Sequence, residues 1–252
     1  MKTRMHRPNG FTLIEVVIIV AVLAILAAAI TPMVLQQIVD AKVTASKSSA
    51  KAMYEAMAGR GDVKGSYGFV GDMGRFPLKP DELVKPPAGA PVYDGAKTFR
   101  GVGMGWKGPY VTVGDTKESF MADGWGHEFQ ITAYGQVRSA GPDGVYGNED
   151  DILYPPEPPK LGSRVMVTVK RDDTEGAGST LDPTGYEVRL YYSNNGQETF
   201  LSSTKAPFTF ENVHPGLHAI AVIRTSSSLV VAQDTIEVPP NSTKLVELFF
   251  RP

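Results

Sequence analysis

The sequence predicts an α+β protein, in which a long N-terminal helix packs on a small antiparallel sheet and an all-β, sandwich-like domain follows. Three patterns support this fold class. An apolar run continues into an amphipathic stretch, glycine-rich turns then separate short strand-like segments, and the last ninety or so residues alternate polar and apolar side chains. We expect a short basic leader at 1–10, the helix at 11–58, a globular head at 59–154, a Pro-rich linker at 155–160 and the β domain at 161–252.

The N-terminal helix is predicted to run from Phe11 to Ala58. Its first part, Phe11–Ile30, would be about 30 Å long, which matches the hydrocarbon core of a bilayer. After Pro32, apolar residues recur at spacings of three and four, and Gly59 supplies a typical helix end. Because proline has no backbone N–H, we expect Pro32 to kink or locally melt the helix.

One carboxylate interrupts the apolar run. Glu15 lies about one turn inside it, where an ionised carboxylate costs a few kcal/mol unless a cation pairs with it. The residues before Phe11 are basic and contain no acid: Lys2, Arg4 and Arg7. Cleavage after Gly10 would create an α-amine on Phe11, and in an assembly of identical helices this amine could pair with Glu15 of a neighbour and set their register.

Two simpler interpretations remain open. A secretory signal peptide could be cleaved near Ala27–Ala29, and a single-pass anchor needs only the apolar run. Neither accounts for Glu15 or for a Gly-Phe pair at the end of so short a leader.

The composition excludes some classes of protein. With 25 Lys and Arg against 27 Asp and Glu, the formal net charge is −2, and no basic patch indicates nucleic-acid binding. The chain has no cysteine. An exported part would therefore be stabilised by packing, a metal or assembly rather than by disulfides.

The head is expected to be rich in loops, with strands at 109–113, 127–133 and 137–139. Its last loop crowds acidic and amide side chains, interleaved with Gly144 and Gly147: Asp143, Asn148, Glu149, Asp150 and Asp151. Hard oxygen ligands on a flexible loop suit Ca²⁺, although the spacing is not that of an EF-hand. A solvated acidic turn is the alternative from composition alone.

The N-terminal residues resemble the type IV prepilin signature, which pilins share with the pseudopilins of type II secretion. The resemblance rests on the basic leader, Gly10-Phe11-Thr12-Leu13-Ile14-Glu15 and the apolar helix. It implies that prepilin peptidase cleaves between Gly10 and Phe11 and methylates the new amine. It also implies that Thr12, Glu15 and Pro32 serve assembly.

The head resembles that of the major pseudopilin. The motifs are Gly-Pro-Tyr-Val at 108–111, Asp-Gly-Trp-Gly at 123–126 and the segment Ser139–Ile152. The resemblance implies bound Ca²⁺, with Asp143 and Asp151 as side-chain ligands and Asp150 as a weaker candidate. Backbone oxygens near Ser139 and Val145 would complete the shell. The family usually has proline where Gly124 stands, and the loop is shorter than in many relatives.

The last part of the chain extends beyond that resemblance. Pro155–Pro159 predicts a stiff linker, and the period-two pattern that follows, as at Val165, Val167 and Val169, predicts about seven strands of a β-sandwich. A short segment, 208–222, loosely resembles the carboxypeptidase-regulatory-like sandwich. No set of catalytic residues is found, so we expect no enzymatic activity.

The sequence thus predicts a structural subunit of a type II secretion pseudopilus or a type IV pilus-like filament. Its expected partners are prepilin peptidase, other pilin or pseudopilin subunits and an inner-membrane assembly platform. The helix would wait in the bacterial inner membrane with the globular part in the periplasm. Two alternatives are a membrane-tethered binding protein that never polymerises and an exported hydrolase-like enzyme.

Overall fold

The computed structural model describes residues 11–60, 65–95, 102–111, 118–171 and 184–250. Helix α1 spans Leu13–Ala58 and ends at Gly59, which confirms the long N-terminal helix. The helix is continuous through Pro32. Its first half is not buried by any other part of the chain that the structure describes, whereas its second half packs on the head.

The head is built from short elements. Helix α2 (Gly68–Met73), a 3₁₀ turn at Pro80–Leu83 and helix α3 (Glu118–Met121) precede a three-stranded antiparallel sheet of β1 (Gln130–Ile131), β2 (Val137–Ser139) and β3 (Ile152–Tyr154). The strand predicted at 109–113 is wrong for residues 109–111, which form a loop, while 112–113 lie outside the described residues. The strand predicted at 127–133 is reduced to two residues.

The amphipathic half of α1 supplies one wall of the head's core. Ala50, Met53 and Met57 are fully buried, at spacings of three and four that place them on one face of the helix. They pack against side chains from α2, the 3₁₀ turn and the sheet: Phe69, Met73, Leu83, Phe129 and Val137. The predicted packing of helix on sheet is therefore confirmed.

The C-terminal region forms two sheets around one core. Its strands are β4 (Ser163–Arg171), β5 (Tyr186–Asn194), β6 (Gln197–Ser203), β7 (Phe208–Val213), β8 (Gly216–Arg224), β9 (Leu229–Val238) and β10 (Thr243–Phe250). One sheet has the order β10-β4-β7 and the other the order β6-β5-β8-β9. Alternate residues such as Val165, Val167 and Val169 face the core, as the period-two pattern predicts.

The outer face of the larger sheet is docked on the head. Val102 and Met104 of the head pack with Tyr191, Ala219 and Ala221 of the sandwich in one buried cluster. Backbone and side-chain hydrogen bonds add to this contact.

Two of those bonds hold the β5–β6 region to the end of α2. The Ser193 hydroxyl donates to the Asp72 carbonyl at 2.7 Å, and the Gly196 N–H donates to the Met73 carbonyl at 3.1 Å. The Pro-rich linker is also tied down, because the side-chain amide of Gln136 donates to the carbonyl of Pro155 at 2.9 Å.

Candidate functional site

Helix α1 begins with a capping box. Thr12 is the N-cap, and its hydroxyl accepts the Glu15 N–H at 3.3 Å. In return, the Glu15 carboxylate accepts the Thr12 N–H at 2.9 Å. Two helix-end donors are thereby satisfied within one chain. The sequence interpretation missed this role of Thr12, although the Thr-x-x-Glu spacing is its signature.

The start of the helix carries a continuous apolar surface. Phe11, the first described residue, is 79% exposed, and Leu13 and Ile14 are also exposed. The exposed apolar side chains continue along the helix to Val39. The helix is long and apolar enough to cross a membrane. Gly10, the residue before the predicted cleavage site, lies outside the described residues.

The helix backbone around Pro32 lacks one hydrogen bond of the regular ladder. Pro32 has no N–H to donate to the carbonyl four residues earlier. The neighbouring Thr31 hydroxyl donates to the Ala27 carbonyl, four residues earlier, at 2.6 Å. The helix is nevertheless continuous through Pro32, so the local melting expected there does not occur in this structure.

The acidic loop after β2 is closed by hydrogen bonds between its own residues. Asp143 accepts the Val145 N–H and the Asn148 side-chain amide, each at 2.8 Å. The Asp143 N–H points to the Asp150 carboxylate at 3.4 Å. The structure therefore brings the backbone of Asp143 close to the carboxylate of Asp150.

Asp151 lies deeper than the other acids of this loop, with a side chain only 6% exposed. One carboxylate oxygen accepts the Gly147 N–H at 2.7 Å and lies 3.4 Å from the Arg138 guanidinium. The other oxygen, Oδ1, is buried, and no donor reaches it among the described residues. A buried carboxylate oxygen without a partner is costly, so this oxygen is suited to accept a ligand.

These residues fit Ca²⁺ in donor chemistry, because they offer carboxylate and carbonyl oxygens on a glycine-containing loop. Asp151 Oδ1 would be a ligand atom, and Asp143 and Asp150 are the further candidates in the same loop. In the described part of the chain, however, no three His, Cys, Asp or Glu side chains come together closely enough to hold a metal ion. The Arg138 guanidinium already places one positive charge beside the Asp151 carboxylate.

Asp123 holds the acidic loop to its surroundings, and sequence reasoning did not identify it. One carboxylate oxygen accepts the Trp125 and His127 N–H groups, and the other accepts the Ser139 hydroxyl at 2.6 Å. The Gly124 N–H donates to Ser46 of α1 at 2.8 Å. The Asp-Gly-Trp turn thus connects β2, the strand that precedes the acidic loop, to helix α1. The motif itself was the available signal.

A buried histidine, His218, and a partly buried one, His214, lie where the sandwich meets the head. The side-chain Nε2 of His218 lies 2.7 Å from the His214 carbonyl, and the rings are 6.4 Å apart. Burial lowers the pKa of both, to about 4 for His218. At neutral pH both rings are therefore neutral, and they serve packing. A catalytic role for them was not expected from the sequence.

Comparison with known proteins gives the family. Residues 5–31 match the family model described as the prokaryotic N-terminal methylation motif. Over 151 residues the chain is 32% identical to type II secretion system core protein G of Pseudomonas aeruginosa, and the match covers 58% of this chain and 92% of that protein. The chain belongs to the pseudopilin family of type IV pilin-like proteins. The resemblance to type IV pilin-like proteins and to the major pseudopilin, found in the sequence, is thereby confirmed.

Solved structures add little to this assignment. Two structures of the pilus-presented adhesin Cpa are each 14% identical to the pseudopilin, cover 43% of it and give a TM-score of 0.20. They span 33% and 32% of the adhesin chains. At this level of similarity they carry no argument about the fold or function of the sandwich.

Proposed function

We propose that this pseudopilin is a structural subunit of a type II secretion pseudopilus or a related type IV pilus-like filament. The observation that carries the proposal is the bare apolar half of α1, which projects from a folded head and carries the methylation motif. Such a surface needs lipid or other helices to cover it. The core protein G relative supports a role in protein secretion across the outer membrane.

The proposed life cycle has two stages. The unassembled subunit is held in the bacterial inner membrane by Phe11–Ile30, with the head and sandwich in the periplasm. After prepilin peptidase cuts at Gly10, the assembly platform moves the subunit into a filament, where the helices of neighbouring subunits replace lipid around α1. Glu15 then pairs with the Phe11 amine of a neighbour, which compensates its charge away from water.

Calcium is a second element of the proposal. We infer that Ca²⁺ binds the acidic loop through Asp151 and Asp143, with Asp150 as a further ligand. When bound, the ion would supply positive charge that holds the loop closed. The support is the unpartnered buried oxygen of Asp151 and the oxygen-rich composition of the loop.

Processing gives the first test. The chain is expressed with a prepilin peptidase, and the mass of its N-terminal peptide is measured. A peptide that begins at methylated Phe11 is the expected result, and a Gly10→Val variant should retain the leader. A peptide that begins after Ala29 would indicate an ordinary secreted protein. An intact leader on the parent chain would favour the tethered binding protein.

A further inference from the structure

Arg138 and Asp151 are brought together by the pairing of β2 with β3. Arg138 is the middle residue of β2, and its partner in β3 is Leu153. Asp151 lies two residues before Leu153, so its side chain falls on the same face of the pair, diagonally opposite Arg138. The Arg138 Nε atom lies 3.4 Å from the Asp151 Oδ2 atom. The strands that frame the acidic loop therefore place a cation beside its most buried carboxylate.

This pair compensates charge but leaves hydrogen-bonding atoms without partners. Among the described residues, no partner reaches the buried Arg138 Nε or the buried Asp151 Oδ1. The Asp151 Oδ2 atom accepts the Gly147 N–H at 2.7 Å instead. An arginine that is a permanent partner of a carboxylate commonly forms two parallel hydrogen bonds to it. Arg138 forms neither of them with Asp151, so their contact is one of charge and can be broken without loss of a hydrogen bond.

The acidic loop carries more negative charge than Arg138 can compensate. In the described part of the chain, Asp143, Asp150 and Asp151 form no ion pair with a Lys or Arg other than Arg138. Carboxyl groups of this kind are ordinarily ionised at neutral pH. Three carboxylates thus stand against one guanidinium, and at least two negative charges remain to attract a bound cation.

The two side chains of the pair differ in how freely they can move. The Asp151 side chain is 6% exposed, whereas the Arg138 side chain is 30% exposed. A long arginine side chain at such a position can turn its charged head into water while its stem stays packed. The carboxylate, by contrast, is held by the Gly147 N–H. Arg138 is therefore the member of the pair that can yield when another cation approaches Oδ1.

We propose that Arg138 competes with Ca²⁺ for the Asp151 carboxylate. Without the ion, the guanidinium is the counter-ion that compensates this buried charge and keeps the loop closed. With the ion bound through Oδ1, two cations would share one carboxylate, and their repulsion opposes binding. Arg138 thereby lowers the calcium affinity of the loop and makes its closure less dependent on calcium. The inference rests on the calcium site of the proposed function and adds the residue that regulates it.

Calcium affinity is measured by isothermal titration calorimetry on the full-length chain in detergent micelles, with CaCl2 as the titrant. Arg138→Gln should bind calcium about tenfold or more tightly than the parent chain, because it removes the competing charge. Arg138→Lys keeps a positive charge and should stay within about threefold of the parent affinity. Adding Asp151→Asn to Arg138→Gln should remove the gain. A gain in Arg138→Lys equal to that in Arg138→Gln would contradict the proposal, since charge would then not be its cause.

Thermal unfolding in chelator tests the counter-ion role separately. Arg138→Gln should melt at least about 3 °C below the parent chain, because it leaves a buried carboxylate uncompensated, and added calcium should restore its melting temperature. Arg164→Gln is the control, since the Arg164 pair with Glu211 is half-exposed and should matter little. Equal changes in the two variants, or an Arg138→Gln chain that calcium does not restore, would overturn the counter-ion role.

The outcomes separate this inference from the calcium site itself. Calcium binding by the parent chain with no gain in Arg138→Gln overturns the competition alone. Binding by neither chain overturns the calcium site and the competition with it. Binding by Arg138→Gln and not by the parent supports the competition, because the guanidinium would then be what excludes calcium from the parent loop.

Discussion

Gly74 of the head lies so close to Ser193 of the sandwich that a Cβ atom at position 74 would be 1.8 Å from the Ser193 carbonyl oxygen. Gly74 also has a positive φ of 71°, a backbone conformation that favours glycine. The end of α2 and strand β5 can therefore meet only because residue 74 has no side chain. The sandwich and the head are packed as neighbours in a folded core rather than separated by a free linker.

Gly74→Ala should destabilise this contact. The added methyl group meets backbone, which cannot move aside cheaply, and overpacking of this kind costs about 1–3 kcal/mol. Gly89→Ala is the matched control, since Gly89 has a φ of 74° but a Cβ there would have no atom within 4 Å. Thermal unfolding followed by circular dichroism should show a larger loss for Gly74→Ala. Equal losses would mean that only backbone strain matters at position 74.

The stability of the fold should fall as the pH decreases below about 6.5, in part because of His218. Burial lowers the pKa of His218 to about 4. Between pH 6.5 and 4 the imidazole is therefore protonated in the unfolded chain but neutral in the folded chain. The unfolded state gains protons first, and the free energy of unfolding therefore decreases between pH 6.5 and 4, by an amount on the order of 2–3 kcal/mol.

The His218→Gln variant isolates this contribution. Glutamine keeps a donor for the His214 carbonyl but does not titrate in this range. The difference in unfolding free energy between the parent and His218→Gln should shrink as the pH falls from 7 to 4. A difference that stays constant across that range would show that His218 does not titrate as its burial implies.

Asp72 should have the opposite pH dependence. Because burial raises its pKa to about 6, the folded chain keeps a proton that the unfolded chain has released, and this contribution to stability is lost as the pH rises from about 4 to about 6. Asp72→Asn should therefore become more stable relative to the parent chain as the pH rises. Urea unfolding at pH 4, 6 and 8 measures the trend. A relative stability that falls with pH would contradict the burial of this charge.

The sequence predicted the long elements because each one repeats a simple period. The spacing of Met53 and Met57 indicates one buried face of α1, and the alternation around Val167 indicates a strand with one face in the core. Helix α2 was not predicted, because Gly68 and Gly71 weaken its local preference for helix. Its stability comes from the burial of Phe69 and other side chains against distant residues.

In the candidate sites, contacts between residues close in sequence could be predicted, whereas contacts between distant residues could not. Thr12 and Glu15 are three residues apart, and their capping box could have been predicted from that spacing alone. The pair of Arg138 and Asp151 joins β2 to the residue before β3, and the contact of Gly196 with Met73 joins two domains. Neither of these contacts leaves a periodic signal in the sequence.

Calcium should raise the unfolding temperature of the purified chain relative to the same chain in chelator. A ligand that binds only the folded state at a hundred times its Kd stabilises it by about 2.7 kcal/mol. Replacing Asp143 and Asp151 together by Asn should abolish the difference, while Glu149→Ala, at an exposed position of the same loop, should preserve it. An unchanged melting curve in the parent chain would eliminate the calcium site.

Glu15 offers the most direct test of the filament account, because its two possible roles respond differently to one substitution. Glutamine at position 15 can maintain the capping box with Thr12 but removes the charge. The parent, Glu15→Gln and Glu15→Ala chains are expressed with their assembly machinery, and filaments are sheared from the cells, sedimented and quantified. Filaments from the parent and none from either variant are the predicted result. Filaments from Glu15→Gln at the parent's level would show that capping suffices, and their absence from the parent itself would contradict the account.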